Sequence, residues 1–233
     1  MPMKSDPRRN RRVAVAGATG LIGSQIVQAL CNDPGVASVH ALARRAPGFT
    51  HPKLHMLAVD FSVPITLPPL DEMYLALGTT IKVAGSQAAM RAIDVDANLA
   101  LARAARAAGA TRLGLISAMG ANAASPVFYN RIKGELEQAL AGLGFEALVI
   151  ARPSLLRGDR AALGQHTRSG EIWGERLNDL LRPLIPRQWQ AIAAADVAAA
   201  LAQTVPTASG RVLLTSGAMQ GAAQRSAGTD SPA

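Results

Sequence analysis

Three residues in the middle of the chain have the types and spacing of a proton-transfer site. Tyr129 and Lys133 are four residues apart on a predicted helix, so their side chains project from one face. An ammonium group beside a phenol stabilises the phenolate and lowers the tyrosine pKa from about 10 towards neutrality, which makes a general acid–base. Ser117, at the end of a predicted strand, is suited to orient a carbonyl or alcohol oxygen. The alternative is a chance pair on a solvated helix face.

A glycine pattern near the start of the chain is suited to bind a pyrophosphate. Gly17, Gly20 and Gly23 lie between a predicted strand and a predicted helix, which is the context that this motif requires. The first glycine permits a tight turn, the second lets the backbone approach the phosphates, and the third lets the helix pack closely. The helix N–H groups then face the phosphates. The other members of the predicted site in this loop are Thr19, Leu21 and Ile22.

The residues after the second predicted strand indicate which dinucleotide would bind. An acidic residue there accepts the ribose hydroxyls and repels a 2′-phosphate. This chain has Arg44 and Arg45 instead, and two guanidinium groups favour NADP(H) over NAD(H), unless both are merely solvated in a turn. Asp60 follows the third predicted strand, where it can reach the adenine amino group or cap a turn.

Composition favours an intracellular α/β protein. The chain has 233 residues, of which 49% are hydrophobic and 3% aromatic, so we expect an aliphatic core around a buried parallel sheet. Cys31 is the sole cysteine, which excludes an internal disulfide and indicates a reducing compartment, taken as the cytoplasm. No metal-ligand spacing and no apolar run of membrane-spanning length occur. The net charge of +8 is concentrated partly in the first residues, and nucleic acid is not an expected partner.

Short apolar runs alternate with helical periodicity, which predicts repeating βα units and a doubly wound parallel sheet, the Rossmann fold. Strands are predicted at residues 12–16, 39–43, 54–59, 73–77, 113–117, 147–152 and 211–215. Helices are predicted at residues 21–30, 90–108, 125–141 and 192–205. Ser125 is the expected N-cap of the third helix, with Pro126 at its first position.

The expected organisation is one domain with two tails. Residues 1–11 form a basic flexible tail, residues 12–216 the Rossmann domain, and residues 217–233 a disordered tail. Within the domain, residues 154–190 carry both tryptophans and form a small carboxyl-terminal lobe that would cover the substrate.

As a set, these residues resemble the short-chain dehydrogenase/reductase superfamily, which carries the same glycine motif and the same Ser…Tyr-x-x-x-Lys set. More narrowly, the chain is similar to the Tat-interacting-protein-type oxidoreductases. The segments that carry this narrower resemblance are Leu77-Gly78-Thr79-Thr80, Ile93-Asp94-Val95-Asp96, Tyr129–Glu135, Ala151–Arg157 and Arg168-Ser169-Gly170-Glu171.

The resemblance implies further roles. The loop after the fourth strand would lie along the cofactor, and the turn after the sixth would flank the nicotinamide. The residues concerned are Leu77, Gly78, Thr79, Pro153, Ser154 and Leu155. Lys133 would also bond the nicotinamide ribose. An epimerase/dehydratase-like label would fit, although the 80 residues after Pro153 leave little room for a bulky nucleotide sugar.

The expected function is therefore an NADP(H)-dependent oxidoreductase acting on a small carbonyl or alcohol. The alternative is an NADP(H)-binding regulatory or interaction protein with little turnover, because a fold does not establish catalysis. Substrate identity, oligomeric state and a part for Asn98 in a proton relay stay open at this point.

Overall fold

The computed structural model describes residues 10–43, 48–59, 65–157 and 190–229. Its main sheet contains strands β1 (Arg11–Ala16), β2 (Val36–Leu42), β3 (Leu54–Leu57), β4 (Glu72–Leu75), β5 (Arg112–Ile116), β6 (Ala147–Arg152) and β9 (Gly210–Thr215). A second, two-stranded sheet pairs β7 (Leu156–Arg157) with β8 (Ile192–Ala193) in parallel. The helices are α1 (Leu21–Asn32), α2 (Ile81–Ala84), α3 (Gln87–Arg91), α4 (Asn98–Ala107), α5 (Phe128–Ala141), α6 (Ala194–Thr204), α7 (Ser216–Met219) and α8 (Ala222–Thr229).

The main sheet is parallel throughout, in the order β3-β2-β1-β4-β5-β6-β9. Side chains of one strand alternate between its faces, so Val13 and Val15 belong to the core under α1 and α6, whereas Ala14 and Ala16 belong to the core under α4 and α5. Helices therefore cover both faces, and the predicted doubly wound α/β fold is confirmed.

The chain reverses its direction of strand addition between β1 and β4. In an open parallel sheet, ligands bind outside the carboxyl ends of the strands at such a switch point. The glycine loop follows β1 and residues 76–80 follow β4, so both line this crevice.

Two predicted helices differ from those observed. Helix α5 begins at Phe128, because the Ser125 hydroxyl accepts the Val127 N–H at 3.2 Å in a local turn and Val127 is extended. The predicted helix 90–108 contains a π-helical turn at Ala92–Ala97, between α3 and α4.

The last two differences lie towards the carboxyl end. Residues 192 and 193 pair as β8 before α6 begins, so the helix predicted from residue 192 is shorter. The disordered tail expected from residue 217 is contradicted by α7 and α8. Met219 and Ala222 are buried against the α6 side of the core, and the Ala223 N–H donates to Asp196 Oδ1 at 3.1 Å.

Several predictions lie outside the described residues. They are residues 1–9 of the basic tail, Arg44, Arg45, Asp60 and most of the lobe at residues 154–190. The tail was expected to extend to residue 11, but Arg11 begins β1 and is buried, and its Nη1 donates to Glu72 Oε2 at 2.9 Å.

Candidate active site

The glycine loop has no room for side chains. Gly17 has φ +75°, and a Cβ on it would lie 2.5 Å from the Ala76 carbonyl oxygen, so this loop touches the segment after β4. A Cβ on Gly23 would lie 2.0 Å from the Gly17 carbonyl oxygen. Within the described part of the chain, no side chain caps the start of α1 at Gly20. Its N–H groups are therefore available to an anion, and the loop fits a dinucleotide pyrophosphate.

The predicted site residues are brought to one edge of the sheet by the parallel strands. The loop with Thr19, Leu21 and Ile22 follows β1 and enters α1. Leu77, Gly78 and Thr79 follow β4, and Ser117 follows β5. Tyr129 and Lys133 lie in the first two turns of α5, and Pro153, Ser154 and Leu155 follow β6.

Tyr129 and Lys133 are neighbours on α5 that differ in their exposure to solvent. The Tyr129 side chain is 39% exposed, whereas Lys133 is 4% exposed. The Lys133 Nζ lies 5.8 Å from the centroid of the Tyr129 ring, a cation–π distance. Tyr129 is therefore partly open to solvent, whereas the ammonium group beside it is buried.

Lys133 is paired with a carboxylate that the sequence analysis did not place in the site. Its Nζ lies 2.7 Å from Asp94 Oδ1, and Asp94 is 1% exposed. The other oxygen of Asp94 accepts the Thr79 N–H at 2.8 Å. A Cβ on Gly78 would lie 3.5 Å from Asp94 Oδ1 and 3.7 Å from Lys133 Nζ, so the loop after β4 passes directly over this ion pair.

Asn98 supports the same loop from below. It is fully buried, and its amide nitrogen lies 3.3 Å from the Leu77 carbonyl oxygen, 3.3 Å from that of Ile93 and 3.0 Å from that of Asp94. These contacts connect the π-helical turn to the loop after β4. Asn98 therefore has a structural role in the candidate site.

Ser117 faces a second buried carboxylate. Its hydroxyl donates to Glu137 Oε1 at 2.6 Å, and Glu137 is 1% exposed. Arg152 donates from Nε to Oε1 at 2.9 Å and from Nη2 to Oε2 at 2.6 Å, and Arg211 Nη2 donates to Oε2 at 3.1 Å. The hydrogen bond to Glu137 raises the pKa of Arg152 against the opposing effect of its burial.

The turn after β6 is fixed by hydrogen bonds to segments that lie elsewhere in the sequence. The Ser154 hydroxyl donates to the Gln190 carbonyl and lies 2.8 Å from the Ser216 hydroxyl at the start of α7. The Pro153 carbonyl accepts the Met119 N–H at 3.0 Å, which joins this turn to the loop after β5. Leu155 is 62% exposed.

Sequence reasoning missed Asp94 and Glu137 as parts of the site. Glu137 is four residues after Lys133 on α5, a spacing that indicates a helical ion pair between them. Each has a different partner in the structure, because both point into the interior, where residues from other elements are closer. A charged residue within an otherwise apolar helix face was the available signal.

Among the described residues, no group of three or more His, Cys, Asp or Glu side chains is placed to hold a metal ion. No helix in those ranges is both long and apolar enough to cross a bilayer.

The chain is similar in sequence to fungal proteins. The chain is 34% identical over 209 residues to "Protein FMP52, mitochondrial" of Coccidioides immitis, covering 81% of this chain and 85% of the relative. It is 38% identical over 184 residues to the Candida albicans protein of the same name, covering 73% and 80%. The expectation of a cytoplasmic location is wrong by this comparison, since these relatives are named as mitochondrial proteins. No family model matches the chain.

Solved structures resemble the fold at low sequence identity. MoeE5 in complex with UDP-glucose and NAD has a TM-score of 0.64 at 18% identity, over 88% of this chain and 76% of that one. A short-chain dehydrogenase family protein from Francisella tularensis has a TM-score of 0.66 at 14% identity, over 90% and 98%. These likenesses concern the fold, and the narrower resemblance to Tat-interacting proteins stays a prediction.

Proposed function

The chain belongs to the family of the FMP52 proteins, and we propose that it is an NAD(P)(H)-dependent oxidoreductase. Its substrate is a small carbonyl compound or the corresponding alcohol. One observation carries the proposal: the glycine loop and the lysine of α5 both lie against the segment after β4. Gly17 touches the segment after β4 at Ala76, and Gly78, two residues later, lies beside Lys133 Nζ.

The fit to a dinucleotide rests on the backbone of the glycine loop. The absence of Cβ atoms at Gly17 and Gly23 allows the tight approach between β1, α1 and the segment after β4. The uncapped N–H groups at the start of α1 would hold the pyrophosphate, and Lys133 would hold the nicotinamide ribose. When bound, the nicotinamide ring supplies or accepts the hydride.

The protein's own part in the reaction is proton transfer and orientation. Tyr129 would donate its phenolic proton to the carbonyl oxygen as the hydride reaches the carbonyl carbon, and would take a proton back in alcohol oxidation. Ser117 would accept a hydrogen bond from the hydroxyl of the alcohol, because its own proton is donated to Glu137 Oε1. The partial exposure of Tyr129 supports this role, because a substrate oxygen can approach its hydroxyl from solvent.

The preference for NADP(H) is the finer part of the proposal. It rests on Arg44 and Arg45 directly after β2, where two cations favour an added 2′-phosphate. Fluorescence titration should give a lower Kd for NADPH than for NADH. The double change Arg44→Ala with Arg45→Ala should remove the difference while leaving the NADH Kd nearly unchanged.

Replacement of Tyr129 by Phe tests the reaction itself. Turnover should fall by at least a hundredfold, and the Kd for NADPH should stay within about twofold because the phenol does not hold the cofactor. Tyr74→Phe is the matched control, since it removes the hydroxyl of the chain's other tyrosine, which is fully buried on Glu72. Unchanged turnover in the Tyr129 variant would exclude the assigned role.

One observation favours a second candidate, an NADP(H)-responsive regulatory protein. Ser117 and Lys133 both direct their polar atoms to buried carboxylates. A sensor of NADP(H) needs the glycine loop to bind the cofactor, but it does not need residues that transfer a proton. A thermal shift with NADPH, without NADPH oxidation across a broad panel of aldehydes and ketones, would favour the sensor over the enzyme.

A further inference from the structure

Asp94 is a buried carboxylate near the candidate cofactor crevice. It lies in the π-helical turn Ala92–Ala97, is 1% exposed, and has one neighbour from each side of the crevice. Oδ2 accepts the Thr79 N–H from the loop after β4, and Oδ1 lies 2.7 Å from Lys133 Nζ on α5. A buried carboxylate is costly unless it is paired and hydrogen-bonded, and here the two partners come from two different elements.

The π-helical turn explains how a carboxylate reaches this point. A π turn inserts one extra residue into a helix and is frequent at functional sites. The turn brings both Asp94 and Asn98 inward, and Asn98 binds the Leu77 carbonyl of the same loop. The loop after β4 is therefore attached to this turn at Leu77 and at Thr79, on both sides of Gly78.

Gly78 shows how close the pair lies to the crevice. It is exposed, and a Cβ on it would be 3.5 Å from Asp94 Oδ1 and 3.7 Å from Lys133 Nζ. The ion pair lies immediately beneath a loop that faces the carboxyl edge of the sheet. An ammonium group has three N–H donors, so the contact with Asp94 leaves others for a ligand above.

We propose that Asp94 is a positioning residue for cofactor binding: it holds the Lys133 ammonium group and the Thr79 backbone in one arrangement, and acts on the dinucleotide through Lys133. This inference rests on the proposed function for the identity of the ligand. A lysine side chain has four rotatable bonds, and a fixed carboxylate beside it removes that freedom before the ligand arrives. Asp94→Asn retains an acceptor for the Thr79 N–H and removes the charge that holds Lys133.

The test is a double-mutant cycle with NADPH, and in parallel NADH, as the titrated probe. The Kd is measured by fluorescence for the unchanged protein, Asp94→Asn, Lys133→Met and the double variant. Asp94→Asn alone should weaken binding about tenfold. In the Lys133→Met background, the same change should alter the Kd by less than twofold, which a merely structural role would not produce. Asp96→Asn, an exposed aspartate of the same turn, is the matched control and should leave the Kd unchanged.

The outcomes separate the two proposals. An equal loss with and without Lys133, or unchanged or tighter binding in Asp94→Asn, overturns the positioning role. If Asp94→Asn alone does not fold, the double variant still decides, because a Kd that differs by more than twofold from that of Lys133→Met overturns the role as well. Failure of the unchanged protein to bind either NADPH or NADH would instead contradict the proposed function.

Discussion

The Ser117 hydroxyl donates its proton to Glu137, with Oγ and Oε1 2.6 Å apart. A serine hydroxyl has one proton, so Ser117 in this arrangement can only accept a hydrogen bond from a substrate. An alcohol can donate that bond, whereas a carbonyl oxygen cannot. Among the assigned groups, this leaves Tyr129 to provide the proton to a carbonyl.

Replacement of Ser117 by Ala should affect the alcohol more than the carbonyl in the ground state. The KM for the alcohol should rise by about fivefold or more, as expected for a lost hydrogen bond, while the KM for the carbonyl changes little. The ratio kcat/KM must fall by the same factor in both directions, because the enzyme does not alter the equilibrium constant. Steady-state kinetics in both directions measure this, and an equal change in both KM values would contradict the acceptor role.

Glu137 should be important for stability. Glu137→Gln leaves Arg152 and Arg211 without their shared anion beside the core, and breaking such a buried pair costs about 3–5 kcal/mol of unfolding free energy. Because the Arg211 side chain is about half exposed, we expect a loss at the lower end of this range. Glu135→Gln, whose partner Arg91 is exposed, should cost less than about 1 kcal/mol. Urea unfolding of both variants tests this, and similar losses would argue against a special part for Glu137.

The glycine loop should not tolerate a methyl group at Gly23. Gly23→Ala would place Cβ 2.0 Å from the Gly17 carbonyl oxygen, so α1 must shift and NADPH binding should be lost. Gly142→Ala is the matched control, because Gly142 has φ −79° and its Cβ would lie 3.5 Å from the nearest atom. That variant should remain within about 1 kcal/mol of the unchanged protein. Normal NADPH affinity in Gly23→Ala would contradict the described loop geometry.

His40 and His55 should make the stability depend on pH. Their ring centroids lie 5.5 Å apart across β2 and β3, with the ring planes tilted by 31°. Burial, and then repulsion from His55, lower the pKa of His40 below its ordinary value of 6.5. Its contribution to stability is therefore present above pH 6.5 and is lost as the pH falls through the lowered pKa.

His40→Gln should reduce this dependence. The urea midpoint of the unchanged protein should fall between pH 7.5 and pH 5.5, and that of the variant should fall less. Equal slopes in the two proteins would show that other groups cause the acid sensitivity.

Much of the fold was predictable because strand and loop signals are local. The seven strands of the main sheet were each located within a few residues, and β6 was located at its observed bounds. The start of α5 was misplaced because Ser125 can cap a helix or close a turn, and the sequence pattern does not distinguish the two. Helices α7 and α8 were missed because their small and polar residues resemble a tail, and only packing on α6 buries Met219.

By itself, the sequence determined which residues lie at the carboxyl edge of the sheet. Hydrophobic periodicity and turn residues place Gly17 and Ser117 after strands and Lys133 on a helix face. The tertiary structure decided which charges meet. Lys133 pairs with Asp94, and Glu137 with Arg152 and Ser117, although Lys133 and Glu137 are four apart on one helix. The reason is physical: spacing within an element sets direction only, whereas the partner of a buried charge depends on what other elements bring within about 3 Å of it.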